Sequence, residues 1–334
     1  MILKSVAHWV KWCLFALFTA SLIIACNGHS SAPTLQAEPT NDSARSATRL
    51  VQHDMGETRV PVNPQRVVTL DTGHLANAVA LGIQPIGSTA WYRTDHQSGL
   101  SPVEPYLGDR LEELTILGYG FTADQVNLET LLSLKPDLII AVTPHKAIYD
   151  QLSQIAPTVL YEYPSADEWK DFLRSSSIAL GKTQEAEILL NEYEQRIQSF
   201  QQQMGHRLST QISVIHPLKE GTRIMYRGFF GGSVIQDAGL ARPPEQDKEE
   251  FNSQPVSAEW IPQMDGDVMF VISFGDDESL NVVDQLKQQP LWSQLNAVQQ
   301  NKIYPVNAEH WYGGDIVAAN RVLDDLFRFL LEEE

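Results

Sequence analysis

A chain of 334 residues with 43% hydrophobic side chains is long enough for two packed cores, which excludes a fibrous or wholly disordered polymer. Its 42 acidic residues against 24 basic ones give a net charge of −18, which disfavours attraction to a phosphate backbone and sets nucleic acid aside as a partner. The 2 cysteines, Cys13 and Cys26, both sit near the N-terminus, so the body of the protein has neither a disulfide framework nor a cysteine-built zinc or iron–sulfur site.

Lys4 and Lys11 precede an apolar stretch from Trp12 to Ala25, broken by Thr19 and Ser21. That stretch is shorter than the roughly 20 residues of a membrane-spanning helix and predicts a secretory signal over 1–25. Leu22-Ile23-Ile24-Ala25-Cys26 resembles a bacterial lipobox. The resemblance implies cleavage before Cys26 and lipidation of that cysteine as the new N-terminus. An uncleaved N-terminal anchor is the alternative, and either tethers the protein to a membrane of the cell envelope. Residues 26–48 are rich in Ser, Thr, Ala, Pro and Asn and have almost nothing to bury, so they read as a flexible linker.

From about residue 49 the pattern alternates strand and helix. Arg66–Asp71 reads as a buried strand, His74–Leu81 as a helix closed by Gly82, and Gln84–Gly87 as a short strand. Asn127–Leu134 reads as helix, Asp137–Val142 as strand, His145–Ile155 as helix and Thr158–Tyr161 as strand. Continuous apolar strands alternating with helices imply a mostly parallel sheet covered on both faces, here an N-terminal lobe over 49–165.

Over 166–206 the pattern changes. Ala186, Leu189, Leu190, Tyr193, Ile197, Phe200 and Met204 recur at spacings of three and four, which predicts one amphipathic helix from near Thr183. At 1.5 Å per residue it extends about 33 Å, enough to connect two lobes. Residues 207–334 then resume the alternation as a C-terminal lobe. Its expected strands are Gln211–His216, Arg223–Arg227, Val268–Ser273 and Ile303–Val306, and its closing helix is Asp315–Leu331.

The two halves match at an offset of 130 residues. Glu129 falls on Glu259, Leu131 on Ile261, Leu134 on Met264, Asp137 on Asp267, and Leu138–Val142 on Val268–Ile272. Each copy reads as a helix start, a turn and a buried strand. Two similar lobes of this kind collect ligands beyond the carboxyl ends of their strands, at the cleft between them.

Val62-Asn63-Pro64-Gln65-Arg66-Val67-Val68, Leu81-Gly82-Ile83-Gln84-Pro85-Ile86-Gly87, and Asn127-Leu128-Glu129 running into Leu134-Lys135-Pro136-Asp137-Leu138 carry a resemblance across nearly the whole mature chain. Val256-Ser257-Ala258-Glu259 and Pro290-Leu291-Trp292 add weaker matches. The chain resembles the bilobed substrate-binding lipoproteins of ABC importers for iron–siderophore complexes, cobalamin and haem. That family implies an α/β fold of two Rossmann-like lobes joined by one long helix. It implies a monomer that hands its ligand to a permease dimer, and no cofactor besides the ligand itself, an Fe(III)–siderophore complex. It also implies that Glu129 and Glu259 dock on arginines of the two permease subunits. The residues alone allow a plainer reading, in which each glutamate sits in the first turn of a helix capped by Asn127 or Ser257, where the macrodipole favours negative charge.

A bulky chelate calls for aromatic walls and a few arginines rather than direct metal ligands. The candidates are Trp91, Tyr92 and Arg93 after the strand near Gly87, Tyr119 after a short apolar run, and Tyr226, Arg227, Phe229 and Phe230 beside Gly228, Gly231 and Gly232. Trp311 and Tyr312, before the closing helix, complete the set. Arg93 and Arg227, one from each lobe, are expected to clamp an anionic chelate. Cobalamin or haem in the same cleft is an alternative ligand. A different alternative is direct capture of zinc or manganese by the strand-end histidines His74, His145, His216 and His310 with a carboxylate. No enzyme is expected: the chain lacks G-x-S-x-G, a P-loop and H-E-x-x-H, and an Asp71–His74 pair is an ordinary structural arrangement.

Overall fold

The computed structural model describes residues 47–91, 113–120, 122–275 and 277–332. The chain opens with an antiparallel hairpin of β1 (Thr48–His53) and β2 (Gly56–Pro61), turning at Gly56 with φ +115°. The sequence reading had no element here. The hairpin closes onto the first sheet where the Asp54 amide donates to the Leu160 carbonyl at 2.9 Å.

That sheet has five parallel strands in the order β5 (Thr115–Tyr119), β4 (Gly87–Ala90), β3 (Val67–Thr69), β6 (Leu138–Val142) and β7 (Thr158–Tyr161). The apolar run of β6 is buried at every position and lies between β3 and β7. Such a strand has no solvent face to alternate toward, so its sequence is continuous rather than alternating.

The second sheet runs β11 (Ile303–Asn307), β10 (Val268–Ser273), β8 (Ile212–His216), β9 (Arg223–Ile224), parallel except for β9 against β8. Only two residues of the expected Arg223–Arg227 strand are strand. Beyond Ile224 the chain bridges Asn252 and turns into the helix Phe230–Asp237.

Between the sheets lie two helices, Trp169–Leu180 and the connecting helix Thr183–Met204. Gly181, left-handed at φ +72°, ends the first. The connecting helix buries Ala186, Leu190, Tyr193, Ile197, Phe200 and Met204 and faces solvent elsewhere. Its apolar stripe belongs to one core that reaches Val67, Leu138 and Val159 of the first lobe and Val214, Phe270 and Trp311 of the second.

Polar contacts tie the same region. Lys170 reaches Glu194 at 2.9 Å and Asp237 of the second lobe at 3.0 Å, and the Tyr193 hydroxyl donates to Asp237 at 2.9 Å. The closing helix Ile316–Phe327 lies against the first lobe's helix Thr72–Ala80, where the Ile316 amide donates to Asn77 Oδ1 at 3.4 Å. The two lobes are thus one packed body with a groove in it.

The repeat is visible but unequal. Leu128–Leu134 is an α-helix whose cap Asn127 accepts from the Thr130 amide, and Asp137 then accepts from the Gln65 and Arg66 amides at the start of β3. Its counterpart Ala258–Met264 is a 3₁₀-helix without a side-chain cap, so the expected capping by Ser257 does not occur. Pro262 inside that segment removes an amide donor and favours the tighter turn. Asp267 keeps the repeat's role, accepting from the Gln211 amide before β8 at 2.9 Å.

Candidate ligand-binding cleft

Where the carboxyl ends of the two sheets face each other the structure has a cavity of about 660 Å³. This lies within the range that holds a compact organic ligand. The first lobe lines it with Gly73 at the start of the Thr72–Ala80 helix, Trp91 just after β4, Tyr163 to Ala166 after β7, and Phe172. The second lobe contributes Gly228 and Phe230 at the head of the Phe230–Asp237 helix, Glu249 and Phe251 from the loop before the Ala258–Met264 segment, Phe274 after β10, and Tyr312 to Gly314 before the closing helix.

Aromatic rings dominate this lining. The Tyr312 ring stacks with Phe274 at 6.5 Å and with Phe251 at 5.9 Å, and Tyr163 meets Phe172 at 6.3 Å. Burial raises the Tyr312 phenol far above its ordinary value, so it stays protonated; its oxygen lies 2.6 Å from His216 Nδ1. That bond fixes the ring's orientation at the cavity wall. Backbone approaches closely at two places. A side chain at Gly228 would put its Cβ 1.8 Å from the Glu249 carbonyl oxygen, and one at Gly313 would lie 2.2 Å from the Ala318 methyl.

Two buried aspartates sit behind the wall as helix caps, one from each lobe. Asp71 accepts from the His74 amide at 2.7 Å, and Asp315 accepts from the Val317 and Ala318 amides at 2.9 Å each. Burial pushes the Asp315 carboxyl up to about 7; the two amides and Arg321 act in the opposite sense, and the nearby Asp71 adds to the rise.

Of the residues expected from the sequence, Trp91, Phe230 and Tyr312 line this cavity. Cys26, Tyr92 and Arg93 lie outside the described residues. Trp311 does not reach the cleft: it is fully buried, packs against Phe270 at 5.0 Å, and donates from Nε1 to Asp325 at 2.8 Å. The one-turn helix Ala308–Trp311 directs it into the core while the next residue turns outward. Phe229 is likewise core.

Tyr226 packs against the second lobe's inner cluster under Lys248, whose Nζ is 4.8 Å from the ring centre. Tyr119 is exposed at the end of the edge strand β5 and does not line the cavity. Arg227 stands behind the cavity wall with its guanidinium 3.5 Å from Asp247 and 3.3 Å from Glu249, so two carboxylates of its own lobe already hold it.

The four histidines do not converge. His74 and His145 are buried in the first lobe, His74 beside Phe172 at 4.0 Å; His216 joins Tyr312; His310 bonds Asp325 at 2.7 Å. Among the described residues no three His, Cys, Asp or Glu side chains form a group able to hold a metal ion, which removes the histidine-built metal site. Glu129 and Glu259 are both exposed on their lobes, and neither lines the cavity.

Gly73, Phe172, Glu249, Phe251, Phe274, Gly313 and Gly314 were not singled out from the sequence. Phe172 carries the spacing of a core position, and Gly73 and Gly313 gain their meaning from close neighbours, Phe172 and Ala318, that only the fold reveals. The one available signal was local: aromatic residues next to glycines just beyond strand ends, the pattern that pointed to Phe230 and Tyr312.

Comparison with known proteins agrees with this geometry. The sequence profile described as "Periplasmic binding protein" matches residues 102–309. The chain is 31% identical over 332 residues to the probable siderophore-binding lipoprotein YfiY of Bacillus subtilis (strain 168), covering 96% of this chain and 97% of that one. It is 27% identical to the putative ABC transporter substrate-binding lipoprotein YhfQ of the same organism, covering 94% and 95%. The crystal structure of Staphylococcus aureus SirA complexed with staphyloferrin B superposes with a TM-score of 0.71 at 29% identity, over 85% of this chain and 98% of SirA. With a profile match across most of its length, a full-length relative and two α/β lobes around one cleft, the chain belongs to the periplasmic binding protein family.

Proposed function

We propose that this protein is the extracytoplasmic substrate-binding component of an ABC importer, and that it takes a ferric siderophore into the interlobe cleft and hands it to the permease dimer. The observation that carries the reading is the aromatic-lined cavity of about 660 Å³ at the carboxyl ends of both sheets, suited to a compact guest that brings its own metal ligands. The names of YfiY and SirA's complex support the ligand class, and that of YhfQ supports the transporter.

In this reading Trp91, Phe230 and Tyr312, joined by Phe251 and Phe274, hold the organic shell of the chelate. Arg93 supplies positive charge. Arg227 contributes once a ligand's acidic groups displace Glu249 and Asp247. The binder works without catalysis, releasing the chelate unchanged, as a monomer. Cleavage before Cys26 and lipidation of that residue hold the protein at the membrane surface, and residues 26–48 give it reach.

Glu129 and Glu259 address the permease. Neither takes part in an ion pair among the described residues. Two exposed carboxylates, one per lobe, fit two basic pockets related by the twofold axis of a permease dimer, giving orientation and a faster encounter.

Intrinsic tryptophan fluorescence tests the ligand class against a panel of ferric citrate, a ferric trihydroxamate, a ferric triscatecholate, free ferric iron, zinc, haem and cobalamin. A ferric chelate should quench to saturation at one per chain and be recovered intact, and Tyr312→Ala should weaken it by about tenfold or more. Saturation by zinc alone, or by haem or cobalamin with no ferric chelate binding, would overturn the assignment.

A further inference from the structure

Each acidic tip has an exposed apolar side chain beside it. Leu132 is 58% exposed and Trp260 is 46% exposed, although both elements that carry them already have the anchors they need. In Leu128–Leu134, Leu131 is fully buried and Leu128 and Leu134 pack beside it; in Ala258–Met264, Ile261 and Met264 are buried. Leu132 and Trp260 thus add nothing to either core. Leu132 is one turn beyond Glu129, on the same side of its helix, whereas Trp260 directly follows Glu259 and, in a 3₁₀ segment, projects about a third of a turn round from it on the same exposed first turn.

The two tips also lie toward the same ends of their sheets. The Asn127 amide donates to the Leu117 carbonyl midway along β5, and the far end of that helix receives the Arg66 guanidinium just before β3. In the second lobe the Val256 amide bonds Thr222 beside the end of β8, and Asp267 closes on Gln211 before β8 begins. Both segments therefore run against their strands. Their starts, with the glutamates, lie at the carboxyl-end side where the cleft opens.

We infer that Leu132 and Trp260 are the apolar anchors of the permease-facing surface, one beside each docking carboxylate, with Trp260 the stronger. The inference rests on the docking of Glu129 and Glu259 proposed above and names what supplies affinity there. Exposed carboxylates give steering and register but little net binding in water, whereas tryptophan is among the residues most enriched at binding hot spots. The occupant is the permease rather than a second copy of this chain. A copy would bring glutamate against glutamate at both tips, while a basic permease face complements them. The repeat also shows the asymmetry: at the 130-residue offset Trp260 falls on Thr130 and Leu132 on Pro262. The acids are paired, but the anchors are not.

The test uses the full-length protein and the permease dimers of the host's iron importers, each reconstituted in nanodiscs, with the dimer that binds wild type at micromolar affinity or better taken forward. Trp260→Ala should weaken that binding by about tenfold or more, Trp260→Phe much less, and Leu132→Ala by about threefold. All three should leave ferric-chelate titrations and the unfolding midpoint unchanged. Unchanged permease binding in Trp260→Ala, while Glu129→Arg with Glu259→Arg abolishes it, would overturn the anchors and leave the docking glutamates standing. Unchanged binding in the double charge reversal would overturn both. A self-associated dimer that Trp260→Ala dissolves, with permease binding intact, would also overturn the inference.

Discussion

Asp315 shows how one residue serves fold and cleft together. Its carboxylate caps the closing helix by accepting from two amides, yet it lies inside the protein within the influence of Asp71 of the other lobe. Its value in the folded protein, about 7, stands above that of an unfolded aspartate, so folding holds a proton that the unfolded chain gives up. The associated stability is full below about pH 4 and is lost as pH rises toward 7. Asp315→Asn keeps an oxygen for the same amides and cannot ionise. Urea unfolding of both proteins should show wild type losing stability relative to the variant from about pH 4 to about pH 7, by up to 2–4 kcal/mol, with no further change above. A difference that stays constant over that interval would contradict the burial of an ionisable group there.

Residue identity alone separated neighbours poorly. Trp311 and Tyr312 are adjacent, aromatic and near glycines, but one fills the core and the other the cleft, a choice made by the single helical turn Ala308–Trp311. Arg227 fits a clamp by its place in the sequence, and only the fold brings Asp247 and Glu249 onto it.

Elements were more legible, because periodicity is a property of several residues at once. The connecting helix begins at Thr183 and ends at Met204, following the stripe that its sequence displays. Strands β7 and β10 coincide with the apolar runs Thr158–Tyr161 and Val268–Ser273. Errors fell where a short-range signal competes with tertiary pairing. Gln84–Gly87 read as strand, but the strand begins only at Gly87, pairs with β3 at Gly87 and Ser88, and runs on to Ala90 beside β5. His145–Ile155 read as one helix, and the structure has a 3₁₀ stretch over Thr143–Ile148 before the α-helix Tyr149–Ile155, with Pro144 near its start.

The connecting helix also has a measurable role. Phe200 is fully buried and meets Phe327 of the closing helix edge-on at 5.2 Å. Phe200→Ala should cost about 3–5 kcal/mol, whereas Glu192→Ala on the solvent face should change stability by less than about 0.5 kcal/mol. Both should unfold in one transition, since a single core runs through helix and lobes. Separate transitions for the two halves would contradict that shared core.

At the scale of the molecule, the lobes meet through buried helices rather than a flexible crossing of strands. A continuous helix packed on both lobes, with Lys170 to Asp237 and Ile316 to Asn77 as polar ties, implies modest hinge motion on ligand binding. The sequence revealed the two lobes through the 130-residue repeat, but not the cleft floor. The cavity lining brings Gly73 together with Gly313 and Gly314, residues more than two hundred positions apart whose shared site no local pattern encodes.

In the proposed function iron enters already wrapped and rests between the lobes without a protein ligand. Crystals of the protein with the ferric chelate that binds best, measured at the iron absorption edge, test it most directly. We expect one anomalous peak inside the cavity, among the rings of Trp91, Phe230 and Tyr312, with every coordinating atom belonging to the chelator. A peak outside the cleft, or iron bonded to a histidine or carboxylate of the chain, would contradict the account.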